Sequence, residues 1–135
     1  MTLPDLPAGA PVLGVGVDII EVSRIVRALE RQGGRFRNRV FTEEELAYCD
    51  GMRFPGPHFA ARFAAKEAVS KAFGTGIGAH MGWKSAEVVR DSLGKPSIRL
   101  DAAGRALLRS KSAGNVLISL AHTRDHATAV ALLTA

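Results

Sequence analysis

Apolar and polar positions alternate strictly from Val12 to Ile20. Leu13, Val15, Val17 and Ile19 fall on one side, and Gly14, Gly16 and Asp18 on the other. A period of two predicts a strand with one packed face and one bare face. Glycine inside a strand marks close approach by another backbone or by a ligand. From Val22 the period changes. Val22, Ile25, Val26 and Leu29 form an i, i+3, i+4, i+7 stripe, so Val22 to Gln32 is predicted helical. Arg24, Arg27 and Arg31 repeat on a different face, and Gly33-Gly34 supplies the stop. Thr42-Glu43-Glu44-Glu45 has the form of a capping box, opening a second helix that fades by Asp50-Gly51. Pro55-Gly56-Pro57 predicts a loop.

The spacing then predicts a central helix over His58 to Phe73, rich in alanine and phenylalanine and closed by Gly74. Gly74, Gly76 and Gly78 make a flexible turn. Lys84 to Arg90 and Ser97 to Leu100 read as strands around a Ser92-Leu93-Gly94-Lys95-Pro96 turn. Ala102 to Ser112 reads as a helix capped by Asp101. Val116 to His122 and Ala127 to Leu133 are apolar strands joined by Thr123-Arg124-Asp125-His126, a hairpin link. A strand, a helical block and antiparallel hairpins together predict an α+β fold, a small antiparallel sheet packed with a long central helix. With no repeat, low-complexity tract or linker, residues 13–135 form one domain. Residues 1–12 carry Pro4, Pro7 and Pro11 and are expected to be a flexible arm.

Composition narrows the class. A chain of 135 residues, 47% of them apolar, builds a core without staples. The single cysteine, Cys49, excludes an internal disulfide and fits a reducing cytosol. The best apolar run near the start is broken by Asp18 and has no basic leader, so neither a signal peptide nor a membrane span is expected. The expected location is cytoplasmic. The net charge is +5, and Arg24, Arg27, Arg31, Arg35, Arg37 and Arg39 stand against Glu30 alone between positions 24 and 39. That stretch accounts for the whole excess and predicts an acidic partner reached with electrostatic steering.

Candidate chemistry concentrates on the central helix. Phe59 and Phe63 set its apolar face, with Ala60 and Ala64 beside it. Glu67 and Lys71 lie one turn apart, on or beside that buried stripe. A buried charge needs compensation. A metal ion would compensate Glu67 and a phosphate would compensate Lys71. The competing reading is a Glu67–Lys71 ion pair at a solvated edge. Asp18, at the end of an apolar strand and on its glycine face, is either a helix N-cap or a metal ligand. Magnesium takes one or two carboxylates and completes its shell with water and phosphate, which Asp18 plus Glu67 would satisfy. His122 is either a packed strand-end histidine or a donor to phosphate. His58 and His80 receive no role, and His126 lacks partners at zinc spacing. Cys49 reads as structural. Gly74-Thr75-Gly76-Ile77-Gly78 follows a helix and so fits no phosphate-loop or dinucleotide fingerprint, though its N–H groups remain available to a ligand.

Taken together, Arg62-Phe63-Ala64-Ala65-Lys66-Glu67-Ala68-Val69-Ser70-Lys71-Ala72-Phe73-Gly74-Thr75-Gly76-Ile77 resembles the signature of bacterial holo-acyl-carrier-protein synthases. So do Gly14-Val15-Gly16-Val17-Asp18-Ile19, Phe41-Thr42-Glu43-Glu44-Glu45 and Ile118-Ser119-Leu120-Ala121-His122-Thr123, in the family's order. The resemblance implies a phosphopantetheinyl transferase that moves the 4′-phosphopantetheine of coenzyme A onto a serine of apo-acyl-carrier protein. It implies a homotrimer with active sites between subunits, and magnesium on Asp18 and Glu67. Lys71 matches a phosphate-reaching residue; Arg62, Lys66, His122 and Thr123 fall at positions near the coenzyme. Arg24 and Arg31 fall on the helix that grips the carrier protein, and Arg27 shares the basic face. Residues 1–12 extend beyond the family's usual start. Ala121 stands where many relatives carry a hydroxyl residue. A water held by the metal or by Glu67 is the expected acceptor of the serine proton, with His122 second. The rival readings are a nucleic-acid-binding module, weakened by few aromatics and no recognised motif, and a non-catalytic coenzyme or nucleotide sensor, weakened by intact Asp18, Glu67 and Lys71.

Overall fold

The computed structural model describes Gly9 and residues 11–135. β1 (Val12–Glu21) leads directly into α1 (Val22–Gln32), then α2 (Gly34–Val40), α3 (Glu43–Asp50) and α4 (Pro55–Phe73). A single 3₁₀ turn at Trp83–Ser85 precedes a hairpin of β2 (Ala86–Arg90) and β3 (Pro96–Leu100). α5 (Ala102–Ser110) and a second hairpin, β4 (Asn115–His122) and β5 (His126–Thr134), complete the chain. β1, β5 and β4 form an antiparallel sheet in that order, and β2–β3 form a separate two-stranded sheet. The expected α+β architecture is observed.

The packing of β1 inverts the simple expectation for an alternating strand. Its glycine face is the packed one. A Cβ on Gly16 would fall against the Ala68 carbonyl oxygen and 2.7 Å from the Ala72 nitrogen, and one on Gly14 would fall against the Ala72 carbonyl oxygen. The bare side of the strand is therefore pressed against the backbone of α4, as strand glycine permits. The bulky side faces outward in the single chain: Val15, Val17 and Ile19 are 63%, 58% and 70% exposed. β5 continues the small-residue surface with buried Ala127, Ala129 and Ala131. Helix and sheet approach closely because neither presents a large side chain at the contact.

α4 is the hub. Twelve of its residues are buried, including Phe59, Ala60, Ala64, Ala68 and Ala72. It begins at Pro55, three residues before the predicted start. The Pro-Gly-Pro segment forms its first turn, where the missing proline N–H costs nothing. Gly74 ends it at φ 81°, and its N–H returns to the Lys71 and Ser70 carbonyls. α2 was not legible in the pattern: it has seven residues and buries only Val40. The capping box at Thr42 is present, with Glu45 as the reciprocal partner. Asp101 caps α5 by accepting from Gly104 N at 2.8 Å.

The domain edge moves by one residue. Val12 already pairs with Thr134, and the Pro11 carbonyl accepts from Ala135 N at 3.3 Å. Residues 1–8 and 10 of the expected arm lie outside the described residues.

Replacing Gly16 with valine is expected to cost about 3 kcal/mol or more of stability, since the clash is with helix backbone that has no rotamer to escape by. Gly34→Ala, with only the Asn38 side chain nearby, is the near-neutral control. Urea denaturation of both variants measures the difference.

Candidate active site

Three predicted residues converge where β1 crosses α4. Asp18 pairs in register with Ala129, and its carbonyl accepts from Thr128 Oγ1 at 2.8 Å. That bond and the glycine packing two residues earlier fix its backbone. Lys71 Nζ lies 3.0 Å from Asp18 Oδ1 and donates to the Val17 carbonyl at 3.1 Å. Asp18 is not a helix cap: α1 is capped at Glu21, with no side-chain bond. The Glu67–Lys71 ion pair is also absent, because Lys71 crosses to the strand instead. Lys71 is half-exposed, so it sits at the rim of the packed stripe and not within it.

The Glu67 carboxylate has no hydrogen-bond or ion-pair partner among the described residues. Burial raises its pKa above the usual carboxylate value, and the Asp18 charge raises it further, against the opposing pull of Lys71 and Arg24. The Asp18 charge is felt at Glu67 and is only partly offset by the nearby cations. No set of three metal-ligating side chains occurs among the described residues. Asp18 and Glu67 supply two carboxylates, the number that magnesium takes when water and phosphate complete its shell.

A second cluster surrounds Tyr48. Arg62 places its guanidinium 4.1 Å from the ring centre, and Arg90 places its own at 4.9 Å. His58 stands edge-on to Tyr48 at 6.0 Å and to His122 at 5.0 Å. Arg62 is buried, donates from Nη1 to the His58 carbonyl at 3.5 Å, and its Nε has no partner. Burial pulls the His58 pKa below the usual value, and the charges of His122, Arg62 and Arg90 pull it further. None of these four groups has an ion pair with a carboxylate among the described residues. Such an arrangement fits an anion. Arg62 and His122 were expected; Tyr48, His58 and Arg90 were not. The i, i+4 spacing of His58 and Arg62 was available as a signal, but the approach of Tyr48 and Arg90 is tertiary.

Lys66 departs from the expected set. Its ammonium group is fully buried. It pairs with Glu45 Oε1 at 2.8 Å and donates to the carbonyls of Trp83 at 3.0 Å and Ala86 at 2.9 Å. Three protons meet three acceptors, so none remains for a coenzyme. Glu45 is equally committed: Oε1 accepts from Thr42 N at 2.9 Å and Oε2 from Val88 N at 2.9 Å. Thr123 shapes the β4–β5 turn, its hydroxyl accepting from Asp125 N at 3.3 Å and His126 N at 3.2 Å. Its side chain remains exposed beside His122.

Arg24, Arg27 and Arg31 are exposed on α1, and Arg24 and Arg27 flank a shallow groove with Ile19, Glu21 and His126. Arg37 is spent elsewhere, on Asp50 at 3.0 Å. Burial pushes the Cys49 thiol up to about 11, which keeps it protonated and structural.

An acidic pair with a lysine, on a small α+β scaffold that also carries a cationic cluster around Tyr48, is an arrangement suited to a phosphorylated ligand. The chain belongs to the 4′-phosphopantetheinyl transferase superfamily, whose family model matches residues 14–131. Among its relatives, the holo-[acyl-carrier-protein] synthase of Ruminiclostridium cellulolyticum is 47% identical over 122 residues, covering 89% of this chain and 90% of that protein. The synthase of Chlamydia trachomatis is 48% identical over 119 residues, covering 88% and 97%. The crystal structure of the Neisseria meningitidis synthase matches with a TM-score of 0.84 at 32% identity, covering 91% of this chain and 98% of that one. The Bacillus anthracis synthase, solved in complex with CoA (3′,5′-ADP), matches with a TM-score of 0.77 at 34% identity, covering 92% and 97%.

Lys66→Met should lose about 3–5 kcal/mol, because it strands a buried carboxylate and two carbonyls. Adding Glu45→Gln removes the stranded charge and should recover part of that loss. Chemical denaturation of single and double variants gives the coupling.

Proposed function

We propose that this protein transfers the 4′-phosphopantetheine arm of coenzyme A to a serine of an apo-acyl-carrier protein, releasing 3′,5′-ADP. The observation that carries the reading is the meeting of Asp18, Glu67 and Lys71, from elements far apart in sequence, with Glu67 raised by burial and by its acidic neighbour. Asp18 and Glu67 would hold a divalent cation such as magnesium, whose charge offsets that of the coenzyme's diphosphate. Lys71, half-exposed at the rim, presents an ammonium group to the same diphosphate. Arg62 and His122, within the Tyr48 cluster, hold a further phosphate of the coenzyme, and Thr123 lies beside them. Lys66 acts on this site only through the scaffold.

The reaction exchanges one P–O bond for another. The serine hydroxyl attacks the phosphorus next to pantetheine and the phosphoanhydride bond breaks. 3′,5′-ADP departs with the negative charge, and the serine proton is released to water. What the chain's residues contribute is position and fixed charge, the terms that dominate phosphoryl-group transfer.

The exposed Val15, Val17 and Ile19, with Val130 beside them on β5, support a homotrimer in which further copies cover this apolar face. The α1 arginines support an acidic carrier protein as partner, and the matched relatives favour it over nucleic acid. Among the described residues no helix is long and apolar enough to cross a membrane. Together with the protonated, buried Cys49, that supports a cytoplasmic setting.

Incubation with magnesium, coenzyme A and an apo-carrier should add the phosphopantetheine mass to the carrier. Glu67→Gln should reduce that transfer by about a thousandfold or more with the same sedimentation behaviour as the parent. Full activity in the variant would remove Glu67 from the site. Arg24→Glu should raise KM for the carrier about tenfold while leaving KM for coenzyme A nearly unchanged. Equal effects on both substrates would contradict docking through α1.

A further inference from the structure

Two buried cations, Arg62 and Lys66, stand one turn apart on α4, and α3 brings them a single buried carboxylate, Glu45. The helices meet there in two successive rungs. In the first, Glu45 pairs with Lys66 at 2.8 Å. In the second, one turn on along α3 and one turn back along α4, Tyr48 lies 4.1 Å from the Arg62 guanidinium. The charges feel one another across that turn. Burial pulls the Lys66 pKa down; Glu45 opposes the pull and Arg62 adds to it. At the Cys49 thiol, beside Tyr48 on α3, burial dominates, but the Arg62 and Glu45 charges are both felt, in opposite directions.

Arg62 is the cation left over. Its Nε is buried without a partner, and the bond from its Nη1 to the His58 carbonyl is long, at 3.5 Å. A guanidinium shielded from water is drawn strongly to a carboxylate, and Glu45 is one turn away. Lys66 already holds that carboxylate. Glu45 is also bonded to Thr42 N and Val88 N, each at 2.9 Å, so its position is fixed while Arg62 has no such tie.

We propose that Lys66 is a positioning residue for Arg62: by occupying the Glu45 carboxylate, it keeps the Arg62 guanidinium uncommitted on the Tyr48 ring, where it meets a phosphate of the coenzyme. The proposal rests on the transferase reading and on the place that reading gives Arg62. It makes the two ways of breaking the ion pair unequal. Without the lysine, a buried carboxylate is left beside a buried guanidinium, and Arg62 closes on Glu45 and leaves the phosphate. Without the carboxylate, Arg62 has nothing to turn to. A role confined to holding the fold predicts no such difference, because either change removes the same pair.

Coenzyme A and its 3′-dephospho form differ by one phosphate and test the asymmetry. KM for each donor is measured, with magnesium and apo-carrier, for the parent, Lys66→Met, Glu45→Gln and the double variant, with folding checked by thermal melt. The parent is expected to favour coenzyme A about tenfold or more, the scale of a charge-assisted hydrogen bond. Lys66→Met should lose that preference through a higher KM for coenzyme A, while KM for the dephospho form changes less than about twofold. Glu45→Gln should keep the preference, and the double variant, with no carboxylate left to capture Arg62, should regain it. Equal losses in the two single variants, or no recovery in the double one, would overturn the proposal. If Lys66→Met proves unfolded, Lys66→Gln, whose amide still donates to the Trp83 and Ala86 carbonyls, takes its place. A parent that used both donors equally well would take the phosphate away from Arg62, and the proposal with it. A parent that transferred from neither would sink the transferase reading itself.

Discussion

The site depends on a contact between surfaces that lack side chains. Gly14 and Gly16 on β1 lie against the backbone of α4 at Ala68 and Ala72, and the buried alanines of β5 extend the same shallow surface. A methyl group at either glycine would force strand and helix apart. That separation would carry Asp18 away from Lys71 and Glu67, because Asp18 is two residues beyond Gly16 on the same face. Close packing therefore does more than stabilise the domain. It sets the distance between the acids, and with it the repulsion that adds to burial in raising Glu67.

A second constraint acts at the far side of α4. The Lys66–Glu45 pair is fully buried, and such a pair seldom stabilises a protein more than apolar side chains of similar volume would. Its value here lies in what it fixes. Glu45 ties the start of α3 to β2, while Lys66 ties α4 to the Trp83–Ala86 segment. Every donor and acceptor of the pair is used, the condition under which a buried polar network specifies one arrangement. Adjacent positions on one helix thus divide the work. Glu67 turns its charge toward Asp18, and Lys66 turns its charge inward to Glu45 and the Trp83–Ala86 segment.

Much of this was legible in the chain. Period-two and helical patterns placed most of the elements, and Thr42 and Asp101 announced their caps correctly. The strand glycines signalled close approach. What failed has identifiable causes. An alternating strand was expected to bury its bulky side; β1 buries its bare side, because α4 approaches so closely that only glycine fits between the two backbones. Pro55 and Pro57 read as a loop because proline breaks helices, yet the first turn tolerates it. Lys66 was expected near the coenzyme because of its position in the matched motif. Successive helical residues point about 100° apart, and Lys66 turns into the core to meet Glu45. Tyr48 and Arg90 come from elements whose mutual placement no local pattern encodes.

The two faces of β1 link assembly to chemistry. The inner face positions Asp18 through glycine, and the outer face, left open in one chain, carries Val15, Val17 and Ile19 on alternating positions. Ile19 follows Asp18 directly, and Val17 precedes it and lends its carbonyl to Lys71. Any copy of the chain that covers this face therefore grips the peptide units on either side of the acid. A strand held on one side by helix backbone and on the other by a neighbour has little freedom to let Asp18 drift. On this argument any oligomer that covers the outer face would couple assembly to acid geometry, and an uncovered strand would hold its carboxylate less rigidly. Preorganised charge is the resource that the proposed transfer needs most, so the proposed assembly and the proposed chemistry meet in this one strand.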